Sequence, residues 1–253
     1  MLPRELTDLH IHVGAAVAPH ILWSIAHQQG FKLPVKDYWE FVQLISASPD
    51  KVRSLDEYLH ILHTVTEKIQ SSPAAIERSV YESVIGIDLA GSEEHAMELR
   101  PKDAEQYAGL YARAREAGLK TTVHTGETPG TGADGVRAVI ELLRPHRIGH
   151  GVQAAWDDNV MKMLREQDIT LEICPSSNLS TRAVSGWDEM KHVVRTFLDR
   201  KVKITINTDG PYLLDTDMKR EIELLLQHGI LDDAEVDQCL SWAREASFLE
   251  GGS

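Results

Sequence analysis

Between Pro19 and Glu82 apolar residues recur at intervals of three and four, in HILWSIAHQQG, YWEFVQLI and LDEYLHILHTVTEKI, a spacing that predicts helices with one buried face. Beyond Glu82 the pattern changes to short β-branched runs alternating with amphipathic stretches. VIGIDLAG precedes a predicted helix from Asp103 to Ala117, LKTTVHTGE one from Asp134 to Leu143, and HRIGHG one from Asp157 to Gln167. ITLEICPSSN then precedes a helix from Asp188 to Asp199, and VKITINTDGP one near Asp217 to Gln227. Each helix opens at or near an aspartate able to accept from the free N–H groups of the first turn. A further strand-like run, TDLHIHVG, precedes the helical segment. With no linker or low-complexity break, the expectation is one domain over residues 1–250, carrying a helical insertion at about 19–82. Gly251, Gly252 and Ser253 read as a flexible tail.

Successive βα units favour a parallel sheet, and reactive side chains at the strand ends favour a closed (β/α)8 barrel of the TIM type over an open sheet. No G-x-G-x-x-G follows the first strand to support a dinucleotide fold.

In TDLHIHVG, residues two apart share a face of the strand, so His10 and His12 point the same way. His124 and Asp209 also stand at strand ends. Three imidazoles and one carboxylate make the donor set zinc prefers, with iron and manganese as alternatives. Such a set leaves a position for a water whose pKa falls from 15.7 to about 7. Glu127, three residues after His124 on the turn in HTGE, is a candidate general acid. His150 in RIGHG is placed to orient or to deprotonate that water. Singly, HTGE reads equally well as a turn and RIGHG as a glycine-rich bend; their joint occurrence at strand ends is what argues for a site. Cys174 reads as an inert buried thiol, since no histidine adjoins it in sequence.

Charge and composition narrow the partners. Lys and Arg number 26 against 39 Asp and Glu, a net charge of −13, with no basic cluster to track a phosphate backbone or an anionic membrane. Nucleic acid and membrane are therefore not expected partners. Two cysteines cannot make a disulfide framework, and no apolar leader is visible, so the expected setting is cytoplasmic.

Taken in order, DLHIH, DLAG, HTGE, RIGHG, EICPSSN and NTDGP resemble the adenosine deaminase family of metal-dependent aminohydrolases, which are (β/α)8 barrels; the likeness runs from Asp8 to Pro211. The resemblance implies hydrolytic deamination of a 6-aminopurine nucleoside or base. His10, His12, His124 and Asp209 would bind one divalent metal, zinc first. Glu127 would protonate ring nitrogen N1, His150 would assist the attacking water, and the backbone of Gly91 would face N3. Many two-metal relatives in the wider superfamily carry a bridging lysine at the end of the fourth strand. None stands in VIGIDLAG, which points to a single metal.

The chain departs from the family in three places. Gly210 follows Asp209 where the family has a second aspartate directed at purine N7. Gly14 stands where the family has an aspartate near the ribose 5′-hydroxyl. Losing both contacts redirects substrate choice, toward a modified or bulkier 6-aminopurine among others. Third, only six strand runs are present where a barrel needs eight, because SVYES passes directly into VIGIDLAG. The expectation is an incomplete barrel with about six recognisable strands, whose two open edges favour self-association. Two alternatives stand beside deamination: an inactive, truncated relative that only binds metal or purine, and a ring-amide hydrolase.

Overall fold

The structure, a computed structural model, describes residues 6–12, 17–47, 51–52, 54–69, 71, 86–87, 101–130 and 132–249. Gly14, Gly91, the junction after Ser83 and the tail 251–253 lie outside the described residues. The helical segment comprises α1 (Pro19–Gln28), α2 (Tyr38–Ile45), α3 (Leu55–Ile61), a π-helical turn (Leu62–Thr66) and α4 (Glu67–Ile69). Then follow β1 (Gly86–Ile87), α5 (Pro101–Glu116), β2 (Lys120–Thr121), β3 (His124–Thr125), α6 (Gly132–Leu142) and β4 (Arg147–His150). After a 3-10 turn (Val152–Trp156) come α7 (Asp158–Glu166), β5 (Thr170–Ile173), α8 (Pro175–Ser180), α9 (Trp187–Asp199), β6 (Ile204–Ile206), α10 (Met218–Gln227) and α11 (Asp233–Ala246). Among the described residues no helix is long and apolar enough to cross a membrane.

The six strand-like runs lie side by side as parallel staves of one arc. β3, β4, β5 and β6 form a four-stranded sheet in that order, and β1 pairs with β2. β2 and β3 are two halves of a single stave: along the same flank His146 N–H donates to Thr121 O and Gly149 N–H to Val123 O. At the far side the first stave runs beside the continuation of β6. Ile11 bridges Asp209, with His12 N–H on Asp209 O and Asp209 N–H on His10 O, both at 2.8 Å. The first stave therefore meets the last, as in a closed barrel, whereas no pairing among the described residues joins it to β1. The fold is α/β and TIM-barrel related, with six staves among the described residues.

Alternation along the staves separates two environments. Ile148, Leu171, Ile173, Ile204 and Ile206 face outward into an apolar core with Val136, Ile140, Leu164, Val193, Phe197, Leu225 and Leu240 from the surrounding helices. Inward positions are polar. One register row runs His124, Gly149, Glu172, Thr205 across β3 to β6, and this row carries the site.

Helices sit where the sequence places them, within about two residues. Asp157 and Asp217 cap α7 and α10 as expected, while Asp134 and Asp188 fall inside the first turns of α6 and α9. Two helices were not foreseen. PSSN leaves the strand run to open α8, and α11, capped by a reciprocal Asp232–Glu235 pair, packs across β6. The helical segment has its own apolar cluster around Leu22, Ile25, Phe41 and Ile45. It meets the loop after β6 through Ala47, Val52, Tyr58 and Leu62 against Leu213 and Leu214.

Candidate active site

Four donor atoms converge at the carboxyl ends of the staves. His124 Nε2 lies 3.0 Å from His10 Nε2 and 3.1 Å from His12 Nε2. Asp209 Oδ1 lies 3.2 Å from His12 Nε2 and 3.8 Å from His10 Nε2. Tetrahedral ligands with bonds of 2.0–2.1 Å stand about 3.3 Å apart, so this spacing suits one small cation. Electrostatics point the same way: His10 has its other nitrogen, Nδ1, 2.9 Å from Glu172 Oε2, which leaves a lone pair on Nε2. Lone pairs this close repel unless a cation lies between them. The expected ligand set thus fits a metal, and His10, His12 and His124 also meet as a cluster with metal-ligand spacing.

Local backbone explains the aim of these groups. At Gly149 an added Cβ would stand 2.8 Å from His10 Cε1 and 3.2 Å from His124 Cγ, so the bare glycine in RIGHG makes room for both rings. In HTGE, Gly126 has φ +63°, and a Cβ there would press to 2.3 Å of Val136 Cγ2. His150 and Asp209 themselves adopt φ of 61° and 62°. That left-handed conformation is uncommon outside glycine and is maintained where a site needs it.

Further residues fix the set from behind. Glu172 is 1% exposed and pairs through Oε1 with Arg147 Nε, while Thr122 donates to the same oxygen at 3.4 Å. Ser177 Oγ donates to Asp209 Oδ2 at 2.5 Å, and the Tyr58 hydroxyl reaches Asp209 Oδ1 at 3.4 Å. Burial first, then the neighbouring His124, His150 and His12, holds His10 neutral, well below its usual 6.5. Burial, then Asp209, pushes the Tyr58 hydroxyl well above its usual 10.

Beside this cluster Glu127 and His150 face each other, Oε2 to Nε2, at 3.5 Å, both buried. Thr181 Oγ1 donates to Glu127 Oε1 at 2.6 Å. Asn178 Oδ1 accepts from Cys174 N–H at 3.3 Å, which turns its amide nitrogen to His150 Nδ1 at 3.0 Å. With Nδ1 accepting, neutral His150 carries its proton on Nε2, directed into the site. Cys174 is fully buried, with Sγ 3.5 Å from Glu172 O, and burial pushes its thiol well above 9.0. It also groups with His10 and His150 at metal-ligand spacing, a proximity in the fold that chain order conceals. Gly210 is buried behind Asp209, its N–H donated to Thr208 O at 2.8 Å.

The sequence reading missed Tyr58, Arg147, Glu172, Ser177, Asn178 and Thr181. Glu172 had a visible signal, a lone carboxylate at an inward position of the apolar run ITLEI. Tyr58 had none, since only packing brings α3 over the strand ends.

The sequence model described as adenosine deaminase matches residues 81–252, more than half of the chain. An adenine deaminase of Rhizobium rhizogenes is 35% identical over 188 residues, covering 74% of this chain and 55% of that protein. The solved adenine deaminase of Arthrobacter aurescens superposes with a TM-score of 0.74 at 18% identity, over 96% of this chain and 93% of that one. An amidohydrolase from Burkholderia ambifaria, solved with bound zinc, gives 0.65 at 20% identity, over 96% and 85%. The two structures share the fold, and the chain spans about half the length of the curated relatives it matches. On the strength of the match to residues 81–252, the chain belongs to the adenosine deaminase family.

Proposed function

We propose that this chain catalyses metal-dependent hydrolytic deamination of a 6-aminopurine, with adenine the first substrate to test. The observation that carries the proposal is the convergence of His10, His12, His124 and Asp209 beside the Glu127–His150 pair. The adenine deaminase of Rhizobium rhizogenes supports the choice of adenine. Zinc suits three imidazoles and a carboxylate, and the amidohydrolase with bound zinc supports that choice. When bound, the ion supplies a water acidic enough to act as a nucleophile at neutral pH.

The chain's own residues perform the rest. His150, its tautomer set by Asn178, holds the attacking oxygen through Nε2–H; of the two roles open to it from sequence, orientation fits and proton removal does not. Glu127 takes the first proton of the water and delivers it to ring N1 as the oxygen adds at C6. The second proton passes from that oxygen to the amine, which leaves as ammonia. Gly14, Gly91 and Gly210 border the purine in this reading. Self-association through the open edges of the arc and a cytoplasmic setting belong to the same proposal.

The test is formation of the 6-oxopurine, followed by its ultraviolet shift, from adenine, adenosine and N6-methyladenine in parallel, with ammonia leaving the first two and methylamine the third, on chain carrying one zinc. Turnover of adenine is the expected result. Stoichiometric zinc without turnover of any 6-aminopurine overturns the catalytic claim. That outcome would favour a second reading, metal and purine binding alone, which the arc of six staves supports.

A further inference from the structure

Building on the proposed deamination of adenine, we infer that Tyr58 is a specificity-determining residue whose hydroxyl donates to ring nitrogen N7 of the purine. Tyr58 is 2% exposed, and its hydroxyl faces Asp209 at the candidate site. Its contact to Asp209 Oδ1, at 3.4 Å, is longer than the 2.5–3.0 Å usual for O–H···O. A buried donor held this loosely has capacity left for a better acceptor.

The other polar groups around the centre are engaged. Ser177 gives its hydroxyl to Asp209 at 2.5 Å, and Thr181 gives its own to Glu127 at 2.6 Å. Asn178 gives its amide to His150 at 3.0 Å. The Gly210 N–H, closest in sequence to Asp209, is taken by Thr208 O at 2.8 Å.

The purine presents a matching demand. Carbon C6 is flanked by N1 on one side and, across C5, by N7 on the other. Glu127 serves N1. N7 carries an in-plane lone pair, which the Asp209 carboxylate would repel and which Gly210, without a side chain, cannot meet. The Tyr58 hydroxyl, neutral near pH 7, is the donor on the Asp209 side among the described residues.

Its position is built by the helical segment. Ser54 caps α3, accepting from Glu57 N–H at 3.2 Å, and Tyr58 N–H bonds to Ser54 O, which fixes the turn. Ala47, Val52 and Leu62 then pack α3 on Leu213 and Leu214, in the loop that starts just beyond Asp209. The segment thereby puts a donor on the side of Asp209 where Ser177 and the Gly210 N–H, among the described residues, are already engaged.

Binding to the zinc-loaded full chain, read as KM where the purine is turned over and by calorimetry where it is not, tests this, with adenine, 7-deazaadenine (N7 replaced by C–H) and 3-deazaadenine as probes. The wild type should bind adenine about 10- to 100-fold more tightly than 7-deazaadenine. Tyr58→Phe should weaken adenine and 3-deazaadenine by that factor and leave 7-deazaadenine unchanged. Equal losses on all three purines in Tyr58→Phe, or a wild type indifferent to N7, overturn the inference. If Tyr58→Phe does not fold, the wild-type comparison decides alone. Purine binding without turnover overturns only the catalytic proposal; no purine binding overturns both.

Discussion

His10 Nδ1 lies 2.9 Å from Glu172 Oε2, with both side chains 1% exposed. A carboxylate only accepts, so His10 keeps its proton on Nδ1 and turns a lone pair on Nε2 to the donor cluster. Further along the same segment, Asn178 donates to Nδ1 of His150, which sets the opposite tautomer. The stretch 172–178 therefore leaves one histidine with a lone pair turned to the cluster and the other with an N–H turned into the site, a division that neither ring could hold by itself.

Glu172→Gln should lower zinc affinity by about 10- to 100-fold, the usual effect of losing a carboxylate behind a ligating histidine. It also leaves Arg147 buried without its counter-charge, at a cost of about 3 to 5 kcal/mol. Competition with a chelator and denaturation of the metal-free chain separate the two effects. Adding Arg147→Met should restore stability and leave zinc affinity low. Unchanged zinc affinity in Glu172→Gln would mean that His10 needs no such partner.

Asn178→Asp should reverse the tautomer of His150, because a carboxylate at Nδ1 accepts where the amide donates. Under the proposed mechanism the Nε2–H that holds the attacking oxygen is then lost. Turnover of adenine should fall by roughly 100-fold while zinc content stays at one per chain. The check is steady-state kinetics beside metal analysis, and undiminished turnover would return His150 to the role of base.

The staves and their helices were legible because alternation and helical periodicity record which face each element buries. Leu171 and Ile173 point to the helices and Glu172 points inward, so the run ITLEI announces both core and site. The four proposed ligands stood out as polar residues at strand ends. Residues acting across the fold were illegible: Tyr58 reaches Asp209 over 151 positions of chain, and Asn178 looked like part of a strand until Pro175 opened a helix. The order of the staves was implicit as well, since pairing of Ile11 with Asp209 follows from closure and not from local pattern.

Gly149→Ala should disable the centre without unfolding the chain. Its Cβ meets the rings of His10 and His124, and His10 is tied to Glu172 and has little freedom to retreat. Overpacking of this kind costs about 1 to 3 kcal/mol. Circular dichroism should show the fold retained, and zinc affinity should fall at least about tenfold. An alanine variant with native zinc affinity would show that the rings have more room than the register row implies.

Acid should destabilise the metal-free chain through His10. Burial keeps its imidazole neutral in the fold, well below 6.5, whereas the unfolded chain takes up a proton near 6.5. Below that pH the unfolded state binds the extra proton, so stability falls with a slope approaching about 1.4 kcal/mol per pH unit, and above it this group contributes no slope. Asp8 and Glu221 act in the opposite sense: burial raises both carboxyls from 3.8 and 4.5, so the fold regains stability as pH falls through their raised values. The His10 effect is therefore read at the upper end, as a drop in the urea midpoint between pH 7.5 and pH 6 that His10→Asn reduces, the rest coming from His146, whose imidazole burial also lowers from 6.5. A midpoint that holds constant across that interval would show that the folded chain accepts the proton, with Glu172 as its partner.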